Sequence, residues 1–233
     1  MMDAFAYDRR RGEIETYFDR TAAEAWKKLT SDAPVGRIRA TVRAGRDAMR
    51  ATILDWLPKD LHGARILDAG CGTGVFAVEA ARRGADVVAI DVAGTLVDLA
   101  RSRVQTAPCE GRIDFRVGDM RDPSLGRFDH VVAMDSLIHY EPDDAVSVMG
   151  SLAARCNVSI ITTFAPATPA LVAMHRLGRM FPRRDRSPSI VPVREGAIRD
   201  AIEDADSLTA WRVARTQRVA NGFYISQAIE VTR

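Results

Sequence analysis

Long hydrophobic runs are missing from this chain. No apolar stretch approaches the roughly 18 residues that a membrane-spanning helix needs, and the opening M-M-D-A-F-A-Y-D-R-R-R lacks the apolar core of a secretory signal. A cytosolic protein is expected. Cysteine is scarce: Cys71, Cys109 and Cys156 are an odd set without metal-ligand spacing, which fits a reducing compartment and implies no protein-bound metal. Neither sign of charge is in excess. With 33 Lys and Arg against 31 Asp and Glu the net charge is +2, so no global field marks a nucleic-acid binder. Repeats of about 20 to 50 residues and low-complexity tracts are also lacking. What is present is 233 residues, 47% of them hydrophobic, enough to fill the core of one compact unit.

The most informative stretch is R-I-L-D-A-G-C-G-T-G, Arg65 to Gly74. An apolar run ends in Asp68, turns on Gly70, Gly72 and Gly74, and continues into the helical periodicity of V-F-A-V-E-A-A-R-R. Strand, tight turn and helix in that order form a nucleotide-cofactor pocket. Glycine lets the chain take positive φ and lets a ligand approach the backbone, while the first N–H groups of the helix point at it. Cys71 within the turn is explained by small size rather than reactivity. The dinucleotide fingerprint would require Gly or Ala where Val75 stands. Asp68 would repel a pyrophosphate but suit an ammonium group and a nearby sulfonium. Those are the charges of S-adenosylmethionine. The next strand, A-D-V-V-A-I-D, ends at Asp91, the expected partner of the ribose hydroxyls.

Around this unit the elements alternate. Residues 9–30 carry Ile14, Tyr17, Phe18, Trp26 and Leu29 at helical spacing, a helical cap. A second periodic stretch follows Pro34, with Arg39, Arg43, Arg46 and Arg50 on a neighbouring face. That face reads either as solvated or as a surface for anionic lipid or a partner protein. A third strand closes on Asp119, expected near an adenine amino group, with Met120 against the ring. A fourth delivers Asp135, Ser136, His139 and Tyr140 to the crevice at the carboxyl ends of the strands. After a helix from Pro142 and a fifth strand, residues 166–192 break the alternation with the basic, proline-punctuated P-R-R-D-R-S-P and read as a lid. A helix around 195–203 and two strands joined at Asn221-Gly222 complete the chain. The expected fold is α/β, a Rossmann-like seven-stranded sheet with its last strand antiparallel. Its parts are a cap over residues 1–58, a cofactor-binding core over 59–165, a lid over 166–192, and a completing segment over 193–233.

Residues 60–165 resemble class I S-adenosylmethionine-dependent methyltransferases. Over nearly the whole chain, the set Y-F-D-R-T-A-A-E-A-W-K-K-L, L-D-A-G-C-G-T-G, D-S-L-I-H-Y-E-P, T-F-A-P-A-T-P-A-L, F-P-R-R-D-R-S-P and N-G-F-Y-I-S-Q resembles the magnesium protoporphyrin IX O-methyltransferases of the bacteriochlorophyll pathway. The resemblance implies methyl transfer to a propionate carboxylate of a magnesium porphyrin, with the magnesium arriving in the substrate. It also implies functional roles for Tyr17 and His139. Arg183, Arg184 and Arg186 in the lid could meet the second propionate, since guanidinium matches carboxylate bidentately. A monomer is expected, cytoplasmic or peripheral on the photosynthetic membrane, receiving its poorly soluble porphyrin from the porphyrin-binding subunit of magnesium chelatase. A quinone-type acceptor, or a non-catalytic cofactor-binding scaffold, are the alternatives.

Overall fold

The computed structural model describes residues 4–22, 36–104, 109–168 and 189–233. Helix α1 spans Ala4–Thr16 and runs on through a wide π turn, Tyr17–Ala22. Helix α2, Arg37–Trp56, leads to the alternating core. That core comprises β1 (Arg65–Ala69), α3 (Val75–Arg82), β2 (Asp86–Asp91), α4 (Gly94–Val104), β3 (Arg112–Val117), β4 (Phe128–Ala133), α5 (Pro142–Ala153) and β5 (Cys156–Pro166). A two-residue strand β6 (Pro192–Val193), helix α6 (Glu195–Glu203), β7 (Arg212–Asn221) and β8 (Tyr224–Thr232) follow.

The sheet runs β3-β2-β1-β4-β5-β8-β7, and the short β6 pairs with the end of β5. Strands β1 to β5 are parallel, and β8 lies antiparallel between β5 and β7. The expected seven-stranded pattern is thus present, with β6 as an addition too short to read from alternation. Both faces of a parallel sheet must be covered. Along the central strands successive side chains feed opposite layers: Leu67, Val131 and Ile160 pack toward α5 and α6, whereas Ile66, Val132 and Ile161 pack toward α2 and α3. The hairpin between β7 and β8 turns at Gly222, which has φ 56°.

The N-terminal elements are fastened across the carboxyl end of the sheet by polar clasps. Tyr7 Oη donates to Asp119 Oδ1 at 2.8 Å and Arg11 Nη1 to Oδ2 at 3.0 Å. The Tyr7 ring stacks on Tyr140 with centroids 5.4 Å apart. Further along, the Thr95 amide donates to Asp19 Oδ1 at 2.9 Å. A cap held by polar contacts, by the Tyr7–Tyr140 stack and by the packing of Tyr7 and Ile14 against the core covers the sheet where the strand order reverses between β1 and β4, the place where open α/β sheets receive ligands.

Candidate active site

Below this cap lies a cavity of about 300 Å³. Its floor is the glycine turn. Gly70, Gly72 and Gly74 have φ of 83°, 53° and 74°, a left-handed conformation that side-chain-bearing residues adopt only at a cost. Gly70, Cys71 and Gly72 line the cavity. Gly74 does not, and its requirement is packing: a Cβ there would lie 2.8 Å from the Phe115 ring. The third glycine therefore seats α3 against β3 and α4.

Two carboxylates flank the turn. Asp68, at the end of β1, is 3% exposed, and its Oδ2 is buried with no hydrogen-bond partner among the described residues. Burial, then the nearby charge of Asp91, pushes its pKa up to about 8. Asp91, at the end of β2, accepts from the Gly72 amide at 2.8 Å and the Ala93 amide at 2.9 Å, and burial raises its pKa too. The Cys71 thiol is held well above its usual range by burial and by both carboxylates, so it stays protonated and unreactive. A buried oxygen without a donor costs about 1–3 kcal/mol. Such an atom facing a cavity marks the place of a missing donor. The glycine cradle, the orphaned Asp68 oxygen and the accepting carboxylate of Asp91 fit a ligand with an ammonium end and a ribose, as S-adenosylmethionine has.

On the opposite wall stand residues that follow β4. Ser136 Oγ is buried without a partner among the described residues, and His139 is 5% exposed with its Nδ1 3.3 Å from the Ser189 carbonyl oxygen. Met120, Met134 and Tyr140 supply apolar surface. Among the described residues, no group of three or more His, Cys, Asp and Glu side chains could hold a metal ion, and no helix is long and apolar enough to cross a membrane.

Several expectations change. Tyr17 is absent from the cavity wall; its neighbour Phe18 lines it, 6.4 Å from the His139 ring, while Tyr17 packs edge-on against Phe18 at 5.1 Å. Both begin the π turn Tyr17–Ala22, whose winding differs from the α-helical period, so the periodicity that marked Y-F could not choose between them. Asp119 also stands outside the lining, its carboxylate engaged by Tyr7 and Arg11, whereas its neighbours Gly118 and Met120 face the cavity. The arginine face of α2 is turned inward: Arg43, Arg46 and Arg50 line the cavity, and Arg39 alone of the four is exposed rather than half-buried. Arg50 pairs with Glu79 at 2.7 Å and Arg46 with Asp135 at 2.6 Å. Tyr7, Arg11 and Ile14 of α1 are lining residues that sequence reasoning missed. Apolar and polar residues are mixed around α1 without a distinct apolar face, so no periodic signal marked them. Arg183, Arg184 and Arg186 lie outside the described residues.

A family model described as magnesium-protoporphyrin IX methyltransferase C-terminus matches residues 133–233, and a methyltransferase-domain model matches residues 66–157. Over 225 residues, 96% of this chain and 97% of the relative, the sequence is 47% identical to the magnesium-protoporphyrin O-methyltransferase of Rhodobacter capsulatus. The chain belongs to the magnesium-protoporphyrin O-methyltransferase family. It is therefore an S-adenosylmethionine-dependent methyltransferase of class I, as the glycine turn and sheet order imply. The crystal structure of the Synechocystis family member with bound S-adenosylhomocysteine superposes with a TM-score of 0.82 at 26% identity, over 95% of this chain and 99% of that one. A ubiquinone biosynthesis O-methyltransferase of Xanthomonas oryzae is 29% identical over 200 residues, 84% of this chain and 78% of the relative.

Proposed function

We propose that this protein transfers a methyl group from S-adenosylmethionine to a propionate carboxylate of magnesium protoporphyrin IX, giving the monomethyl ester. The observation that carries this reading is the 47% identity to a family member of that name across 96% of the chain, a span that takes in the cap as well as the donor turn. The donor, when bound, supplies an electrophilic methyl group on a sulfonium. Asp68 accepts hydrogen bonds from the donor's ammonium group, and Asp91 accepts from the ribose hydroxyls. Met120 packs against the adenine. A carboxylate acceptor has a reference pKa near ~4.3 and is already ionised at neutral pH, so the protein has no hard proton to remove. Its work is alignment of the acceptor oxygen behind the methyl carbon and exclusion of water. Phe18, Met134 and Tyr140 provide the apolar wall that a flat macrocycle needs. His139 orients the carboxylate by a hydrogen bond or takes up its residual proton.

In this reading residues 1–58 act as a cap, 59–165 as the donor core, 166–192 as a lid whose Arg183, Arg184 or Arg186 meets the second propionate, and 193–233 as the completing segment. The protein works as a cytoplasmic monomer, touching the photosynthetic membrane at its periphery and taking porphyrin from the porphyrin-binding subunit of magnesium chelatase. Incubation with methyl-labelled donor and magnesium protoporphyrin IX tests the reaction. A base-labile labelled ester is expected; label on a quinone acceptor but none on the porphyrin would overturn it in favour of the quinone-directed activity.

A further inference from the structure

Asp135 stands just past β4 and is, among the described residues, the only one other than glycine with positive φ, 55°. Asp tolerates this conformation better than most residues, but the choice still carries a cost, and strained backbone of this sort concentrates where geometry is functional. The left-handed turn aims the carboxylate between the sheet and the cap, where its side chain is 6% exposed. Arg46 Nη1 from α2 donates to Oδ2 at 2.6 Å. Tyr224 Oη, from β8, lies 3.1 Å from each carboxylate oxygen, and Ser226 Oγ, two residues along the same strand, donates to Oδ1 at 3.2 Å. The Thr163 hydroxyl of β5 donates to Oδ1 at 3.1 Å and accepts from the Asp135 amide at 2.7 Å. A carboxylate offers about four lone-pair sites. Side chains of this chain occupy them, so the carboxylate is held by its neighbours while Asp135 remains part of the cavity lining.

The contact is built from both sides. A Cβ on Gly45 of α2 would come within 2.5 Å of the Tyr224 ring, so glycine at this buried helical position admits the ring whose hydroxyl reaches Asp135. The last strand, remote from the donor turn in sequence, thereby meets the first long helix both directly, ring on Gly45, and through the Asp135 carboxylate, and Asp135 and Arg46 are both part of the cavity wall.

We infer that Tyr224 and Ser226 are positioning residues for donor binding: they hold Asp135 in the orientation that grips Arg46, and so fix α2 across the donor cavity. This rests on the reading of the cavity as the S-adenosylmethionine site. The test is calorimetric titration of the full chain with S-adenosylhomocysteine, which needs no porphyrin. Tyr224→Phe keeps the ring on Gly45 and removes only the hydroxyl; the dissociation constant should rise roughly 3- to 10-fold. In turnover assays the donor KM should rise with it while kcat stays within about twofold. Ser226→Ala should shift both in the same direction by less. Placed on an Arg46→Gln background, Tyr224→Phe should add less than about twofold, because the grip it supports is already gone. Unchanged affinity in both single variants, or the full Tyr224→Phe penalty on the Arg46→Gln background, would overturn the inference while leaving the donor site intact. Failure of the unmodified protein to bind S-adenosylhomocysteine would overturn both it and the reading beneath it.

Discussion

Replacing Asp68 by Asn separates the stability of the protein from its affinity for the donor. Without ligand, burial and Asp91 hold Asp68 at a pKa of about 8 against an ordinary 3.8, so the folded chain binds a proton here that the unfolded chain releases. The sign follows from linkage. This group's contribution to stability is intact below about pH 4 and falls as pH rises toward 8, at roughly 1.4 kcal/mol per pH unit, so that about 4 kcal/mol has gone by pH 7. Asn has the same shape and no proton to exchange. Thermal unfolding of Asp68→Asn without ligand should lack this slope, and the variant should be more stable than the unmodified protein at pH 7. The donor reverses the order. Its ammonium requires the ionised carboxylate, so binding at pH 7 should release close to ~0.9 proton, the fraction of Asp68 protonated one pH unit below its pKa. A hydrogen bond between charged groups contributes about 1.5–3 kcal/mol, so Asp68→Asn should weaken S-adenosylhomocysteine binding by roughly 10- to 150-fold. Calorimetry in buffers of differing ionisation enthalpy reads both quantities. A variant that binds as tightly as the parent, with the same proton release, would refute the reasoning.

Asp91→Ala should weaken the same ligand by at least about tenfold, since it removes a charged acceptor, with circular dichroism still reporting a folded sheet; undiminished affinity by calorimetry would remove the ribose assignment. His139→Phe fills similar space, and steady-state kinetics should show kcat falling by about 10² while the porphyrin KM moves little; an unaltered rate would return His139 to packing. Phe18→Ala should raise the porphyrin KM several-fold more than Tyr17→Phe does, because Phe18 alone of the two lines the cavity; the reverse order in matched assays would restore Tyr17 to the site. Gly74→Val places a branched side chain at φ 74° with its Cβ against Phe115. Denaturant titration should show a loss of about 2–5 kcal/mol from strain and overpacking together.

Local chemistry carries furthest where one element suffices. The strand, glycine bend and helix from Arg65 onward are contiguous, and their backbone requirements are written in residue types: positive φ at Gly70, Gly72 and Gly74, and acids at the ends of β1 and β2. The parallel-then-antiparallel pattern is legible for the same reason, since each buried strand shows its period and each break its turn residues. Where a side chain's role depends on a partner far along the chain, the pattern runs out. Asp119 occupies the position expected for an adenine contact, yet its carboxylate meets Tyr7 and Arg11, 112 and 108 residues away. Tyr17 and Phe18 carry the same periodic signal, and only the docked angle of the helix selects Phe18 for the cavity.

The chain's own order of residues determined the sheet, the donor turn and the two acids that frame it, because neighbouring residues and backbone sterics dictate these without reference to distant contacts. Tertiary packing alone decided that the arginines of α2 face inward, that Asp135 answers to Tyr224 and Ser226, and that α1 roofs the cavity. A helix can be rotated about its axis at little local cost. Its facing is set only when the ion pairs and apolar surfaces of other elements close against it.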